Sequence, residues 1–177
     1  MPATPTVALT MLFISLCIVT DLRSRRIPNA LTLPGIGVGL TVSAAAHGAS
    51  GLGMSGLGAL LALALLVGPF ALGGIGGGDV KMMAAVGSLV GPSALLASLA
   101  AGLILGGLVA VGVLWRRGRL AEKLGALGAM LHAAALMRSL APLHAGAPDQ
   151  ATVALPYSLP LGLGTAIALA MRTTGGL

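Results

Sequence analysis

Charged residues are scarce in this chain: they make up 8% of its 177 residues, and only four are acidic. A water-soluble domain of that length needs far more to cover its surface. With 56% hydrophobic residues and a mean hydropathy of +1.02, the composition excludes such a domain and specifies an integral membrane protein. Cysteine is almost absent. Its one copy, Cys17, lies inside an apolar run, which leaves no disulfide framework and no Cys-x-x-Cys metal site and reads as a small buried hydrophobe. Aromatics make up 2%, too few for the interfacial belt of many membrane proteins, and they never interleave with basic residues. The net charge of +6 is therefore assigned to membrane topology and not to a nucleic-acid partner. Sustained alternation at period two is missing as well, which disfavours a β-barrel.

What the chain does have is long apolar runs rich in Gly, Ala and Leu, and these predict helices. Six segments can be drawn, at about residues 4–21, 30–47, 54–72, 79–91, 92–115 and 152–171. The fold class is thus an all-α integral membrane protein, a polytopic bundle of about six transmembrane helices, in a single domain over residues 1–177. Gly91-Pro92 separates the fourth and fifth segments, which as one helix would run about 55 Å. The fourth is then only about 20 Å long, so its end is expected below the membrane surface unless the bilayer thins around it. Small-residue spacings such as Gly35, Gly37 and Gly39, or Gly102, Gly106 and Gly107, predict close helix packing. Residues 116–151 form the one long polar stretch, a cytoplasmic loop. Leu120, Leu124, Leu127 and Leu131 recur there at helical spacing, which predicts an interfacial amphipathic helix.

The first segment has no basic stretch before it and is followed by "DLRSRR", so it reads as a retained anchor with its N-terminus outside. On that topology Arg23, Arg25, Arg26, Lys81, Arg116, Arg117, Arg119, Lys123 and Arg138 collect on the cytoplasmic side and Arg172 alone lies outside. The segment "HGASGLGMS", residues 47–55, becomes an outer loop free of Lys and Arg.

Ionisable groups at membrane depth are costly, which makes the four acids the natural search set for chemistry. Glu122 and Asp149 fall in the polar loop. Asp21 closes the first helix and Asp79 opens the fourth. Two crossings separate them, so both carboxylates return to the cytoplasmic face, where helices one and four can bring them together. Paired carboxylates share a proton, and so form a general acid and a general base able to drive water onto an amide carbonyl. Gly73, Gly74, Gly76, Gly77 and Gly78, in "GGIGGGDVK", leave the backbone bare before Asp79, open to a substrate strand and to positive φ. Against this stands a plainer reading: Asp79 as a helix N-cap and Asp21 as an interfacial anchor beside its arginines.

At these two sites the sequence resembles the type IV prepilin peptidases, membrane aspartic proteases of the GxGD class. Gly76-Gly77-Gly78-Asp79, followed by Val80 and Lys81, matches the second motif of that family; "DLRSRRIPN", with Asp21 first and Ile27-Pro28-Asn29 last, matches the first. "LPYSLPLGLG", residues 155–164, looks like the start of the family's last helix, with Ser158 where glycine is expected, at a position read as non-catalytic. The resemblance implies Asp21 and Asp79 as catalytic residues. Gly76, Gly77, Gly78, Lys81, Pro28 and Asn29 become substrate-binding or site-shaping, and Lys81 is a candidate to hold the aspartate pair or a substrate carboxylate. It implies no cofactor and no metal. The substrate is expected to be a prepilin or pseudopilin with a basic leader, cut after glycine on the cytoplasmic side of the bacterial inner membrane. Larger relatives carry a Cys-x-x-Cys insertion and methylate the new N-terminus. With one cysteine and no room for that insertion, this chain looks like the short, peptidase-only branch tied to Flp-type (tight-adherence) pili; a preflagellin-type peptidase is the near alternative. A proton-coupled transporter using the two aspartates as a relay is a further alternative, and it predicts acids near the midplane and polar lining across the bilayer.

Overall fold

The computed structural model describes residues 4–122, 124–126, 128–129 and 157–174. Four long helices make up nearly all of it: α1 (Thr4–Ser24), α2 (Asn29–Ala71), α3 (Gly77–Arg116) and α4 (Ser158–Thr173). Among the described residues there is no strand. Three of the helices, α1 from Pro5, α2 and α3, are long and apolar enough to cross a membrane.

Both α2 and α3 are bent double. Gly48 (φ 62, ψ −143) interrupts α2 and Gly91 (φ 79, ψ 171) interrupts α3, each in backbone that side-chain-bearing residues rarely adopt. The consequences are visible in who touches whom. Gly39 and the Ser55 hydroxyl both meet Ser88, whereas an unbroken helix would hold residues 39 and 55 about 24 Å apart. Ile75, just before α3, and Ala110, near its end, line one cavity, where a straight rod would separate them by about 50 Å. Six helical rods result. The expected break at Gly91-Pro92 is present, with Pro92 opening the second arm. The expected outer loop over residues 47–55 shrinks to the single residue Gly48: helix resumes at once, and Gly51 folds back onto the carbonyl of Ser43, a fit that leaves no room for a Cβ.

The first arm of α3 is the centre of the bundle. Met82, Met83, Ala84, Ala85, Val86, Gly87, Ser88 and Leu89 are buried without interruption, so every face of this arm is covered. Around it, Phe13 of α1 lies on Gly35, Ile14 and Ile18 of α1 lie on Gly162 of α4, and Leu161 of α4 lies on Gly102 of the second α3 arm. Arg172 reaches Ser93 at 2.9 Å at one end of the bundle, and Ser158 reaches Asp21 at the other. Large apolar side chains such as Leu60, Leu103, Ile104 and Leu108 face outward, the reverse of a soluble protein and the arrangement a lipid solvent favours. The polar stretch after α3 turns at Gly118 (φ 65) and begins helical at Leu120, with Arg119 paired to Glu122 at 3.2 Å. Residues 124–126 and 128–129 are helical too, with Leu124 exposed; Leu127, Leu131 and the rest of the expected amphipathic helix lie outside the described residues.

Candidate active site

Asp21 stands in the last turn of α1, half-buried. The helix is stopped just beyond it. Arg25 donates its backbone N–H to the Asp21 carbonyl at 2.7 Å and takes a left-handed conformation (φ 51), a C-terminal turn made without glycine. Pro28 then disfavours helix at Ile27 and becomes the N-cap of α2, its carbonyl accepting from Leu31 and Thr32. "RRIP", residues 25–28, therefore turns the chain in four residues, leaving Asp21 at the rim.

Asp79 occupies the facing corner. Gly76, extended at φ −77, caps α3, and Asp79 is the third helical residue, not the cap itself. Its carboxylate folds back to accept the Gly76 backbone N–H, half of a capping box, while its own N–H donates to the Gly76 carbonyl at 3.1 Å. Crowding explains the glycines better than freedom does. A Cβ on Gly76 would stand 3.2 Å from Asp79 Oδ2, one on Gly77 3.3 Å from the Phe70 ring, and one on Gly78 3.2 Å from the Ile27 Cβ; only Gly73 in this stretch uses positive φ.

The Gly78–Ile27 contact presses the two motifs together, at one end of the bundle. Asp79 is buried, at 8% exposure, and its carboxylate lies within electrostatic reach of Asp21. Cys17, one turn above Asp21, feels both. Among the described residues, no three His, Cys, Asp or Glu side chains gather into a metal-ligating set.

Residues 8–111, more than half of the chain and including both aspartates, match the type IV leader peptidase family. The chain belongs to that family. It is a membrane peptidase, and the family's substrates are prepilin-type proteins. No significant match was found among curated proteins or among solved structures.

Within this leader peptidase the remaining residues singled out in the sequence fall on the same end, with one redistribution. The Lys81 ammonium donates to Asn29 Oδ1 at 2.9 Å and so bridges the α3 and α2 starts instead of gripping a carboxylate; both partners, and Pro28, are exposed. Lys81→Met is expected to slow cleavage less than about five-fold, because an exposed bond of this kind is worth about 1 kcal/mol or less. A loss of about 1,000-fold in the same cleavage assay would mean that the ammonium acts on the aspartates.

Ser158 is the residue that sequence reasoning misses. Buried at the start of α4, it donates its hydroxyl to Asp21 Oδ2 at 2.5 Å. The only signal for it in the sequence is its departure from the expected glycine. Its neighbour Tyr157, with Leu66, Ile75, Gly106 and Leu161, lines an apolar cleft of about 230 Å³ whose wall includes neither aspartate.

Proposed function

We propose that this leader peptidase is an aspartic endopeptidase that removes the basic leader from Flp-type prepilins or pseudopilins at the cytoplasmic side of the inner membrane. The observation that carries the reading is the placement of Asp21 and Asp79, from the end of α1 and the start of α3, at one end of an apolar bundle, where Gly78 packs on Ile27 and the carboxylates lie within electrostatic reach.

With one proton shared between the carboxyls, the ionised one takes a proton from water as its oxygen attacks the scissile carbonyl, and the other donates its proton to the carbonyl oxygen. Collapse of the tetrahedral intermediate breaks the C–N bond. The departing nitrogen receives a proton, and the carboxyls end as they began. No covalent enzyme intermediate forms.

Six crossings, one for each rod, put the aspartates on the cytoplasmic side, where Arg23, Arg25, Arg26, Arg116, Arg117 and Arg119 also collect. The first α3 arm, 77–90, spans only about 21 Å, which recesses Asp79 below the membrane surface, near the depth at which a leader meets its hydrophobic helix. A proton relay would need ionisable groups through the bundle, and among the described residues Asp79 is the one buried Asp, Glu, His, Lys or Arg, the other buried polar residues being Ser and Thr.

The test is to co-express the full chain with a Flp-type prepilin and read the pilin's size and N-terminal sequence. Removal of the leader after glycine is expected. A pilin that keeps its leader, across both Flp-type and preflagellin-type substrates, would overturn the reading; cleavage of a preflagellin alone would move the substrate class to the alternative.

A further inference from the structure

We propose that Ser158 is a positioning residue for Asp21, a role that rests on the two-aspartate reading. The hydrogen bond crosses 137 residues of sequence and ties the last helix to the first at the reacting end of the molecule. The family match ends at residue 111, so Ser158 lies beyond it, and the family resemblance calls for a glycine there, which has no group to offer.

Three features separate this contact from incidental packing. Ser158 is the first helical residue of α4, after the N-cap Tyr157, and its hydroxyl reaches out of α4 to Asp21. The serine side chain is fully buried, so its hydroxyl faces the half-buried Asp21 carboxylate and not bulk solvent. The acceptor is Oδ2, and Oδ1 has no partner among the described residues. One oxygen is therefore anchored and the other left for water and for Asp79. A carboxylate in a fraying last turn otherwise samples several side-chain rotamers, few of which aim it at the opposite aspartate.

α4 is the right element to supply the anchor. Gly162 fits against Ile14 and Ile18 of α1, and Gly164 against the backbone of Gly102, so close that the register between α4 and the α1 end is fixed. Ser158 thus makes the docking of α4, which follows the longest connection in the chain, a condition for an aimed Asp21.

The test is steady-state cleavage of a prepilin-type substrate by the full chain in lipid nanodiscs, comparing wild type with Ser158→Ala, Ser158→Gly and Ser158→Thr. Ala and Gly are expected to lower kcat about 10- to 100-fold with KM within about two-fold, and Thr, which keeps the hydroxyl, to recover most of the loss. Wild-type kcat in Ser158→Ala overturns the role. So does a loss confined to KM or to the unfolding midpoint, or a Thr variant that folds to the wild-type midpoint yet turns over no faster than Ala. Asp21→Asn and Asp79→Asn run in parallel keep the two ideas apart. If both abolish cleavage while Ser158→Ala does not slow it, only the positioning role falls; if either cleaves normally, or wild type cleaves nothing, the peptidase mechanism falls and takes this role with it.

Discussion

Asp21→Asn and Asp79→Asn are each expected to lower leader removal by at least about 1,000-fold, the combined size expected when general acid–base catalysis is lost, while leaving the bundle folded. The chemistry explains the size. In the proposed two-aspartate mechanism each carboxyl both takes and gives a proton in one turnover, and a carboxamide does neither, so the barrier is expected to rise by about 4 kcal/mol or more. The geometry explains the retained fold. An Asn at 21 still offers an oxygen to the Ser158 hydroxyl, and an Asn at 79 still offers one to the Gly76 N–H, so neither change strands a buried donor. Because the two groups act as a unit, the double variant is expected to be about as inactive as either single one. The measurement is pilin processing beside a folding check such as the unfolding midpoint in detergent. Near-normal processing by either variant would leave that aspartate as no more than a capping residue or an interfacial anchor.

That Asp21 and Asp79 lie at one end of the bundle is legible in the sequence because parity does much of the work: the two arms of α2 return the chain to its starting end, and few acids are available. The Gly91-Pro92 break is legible for a similar reason, since two residues that cannot continue a helix sit midway in a run too long for a membrane. Gly48 is not, because a single positive-φ glycine among many carries no mark of its own, and the polar look of "HGASGLGMS" suggests a longer loop. Nor can spacing distinguish Gly39, whose face meets Ser88, from Gly37, whose face is open. Lys81 lies two residues from Asp79, and sequence proximity suggests a carboxylate partner. On a helix, residues two apart point away from each other, which is how its ammonium comes to meet Asn29. Ser158 needs the tertiary fold outright: no local pattern relates the first turn of α4 to the last turn of α1.

Gly87→Ala is expected to be strongly damaging, because it adds a methyl at the bundle's centre. Gly87 and Gly58 pack backbone against backbone. A Cβ on Gly87 would collide with the Gly58 carbonyl and lie 2.7 Å from its carbon, and a Cβ on Gly58 would meet the Gly87 carbonyl in the same way. Main-chain atoms cannot rotate aside as a side chain does, so the α2 and α3 arms must part. Overpacking of this kind costs about 1–3 kcal/mol. One residue away, the buried Ser55 hydroxyl bonds the Ser88 carbonyl at 2.6 Å, and separating the arms strains that bond too, at about 1–3 kcal/mol if it breaks. The damage does not stay local. Asp79 lies about 12 Å down the same rigid arm, so an arm displaced by about an ångström misaims it against Asp21 and can cost about 100-fold in rate. Gly37→Ala is the control: its Cβ meets nothing within 4 Å, and it should hold or gain up to about 1 kcal/mol from helix propensity. Unfolding midpoints and cleavage rates of the two variants decide the matter. If Gly87→Ala matches Gly37→Ala in both, the contact between Gly58 and Gly87 does not set the position of the arm that carries Asp79.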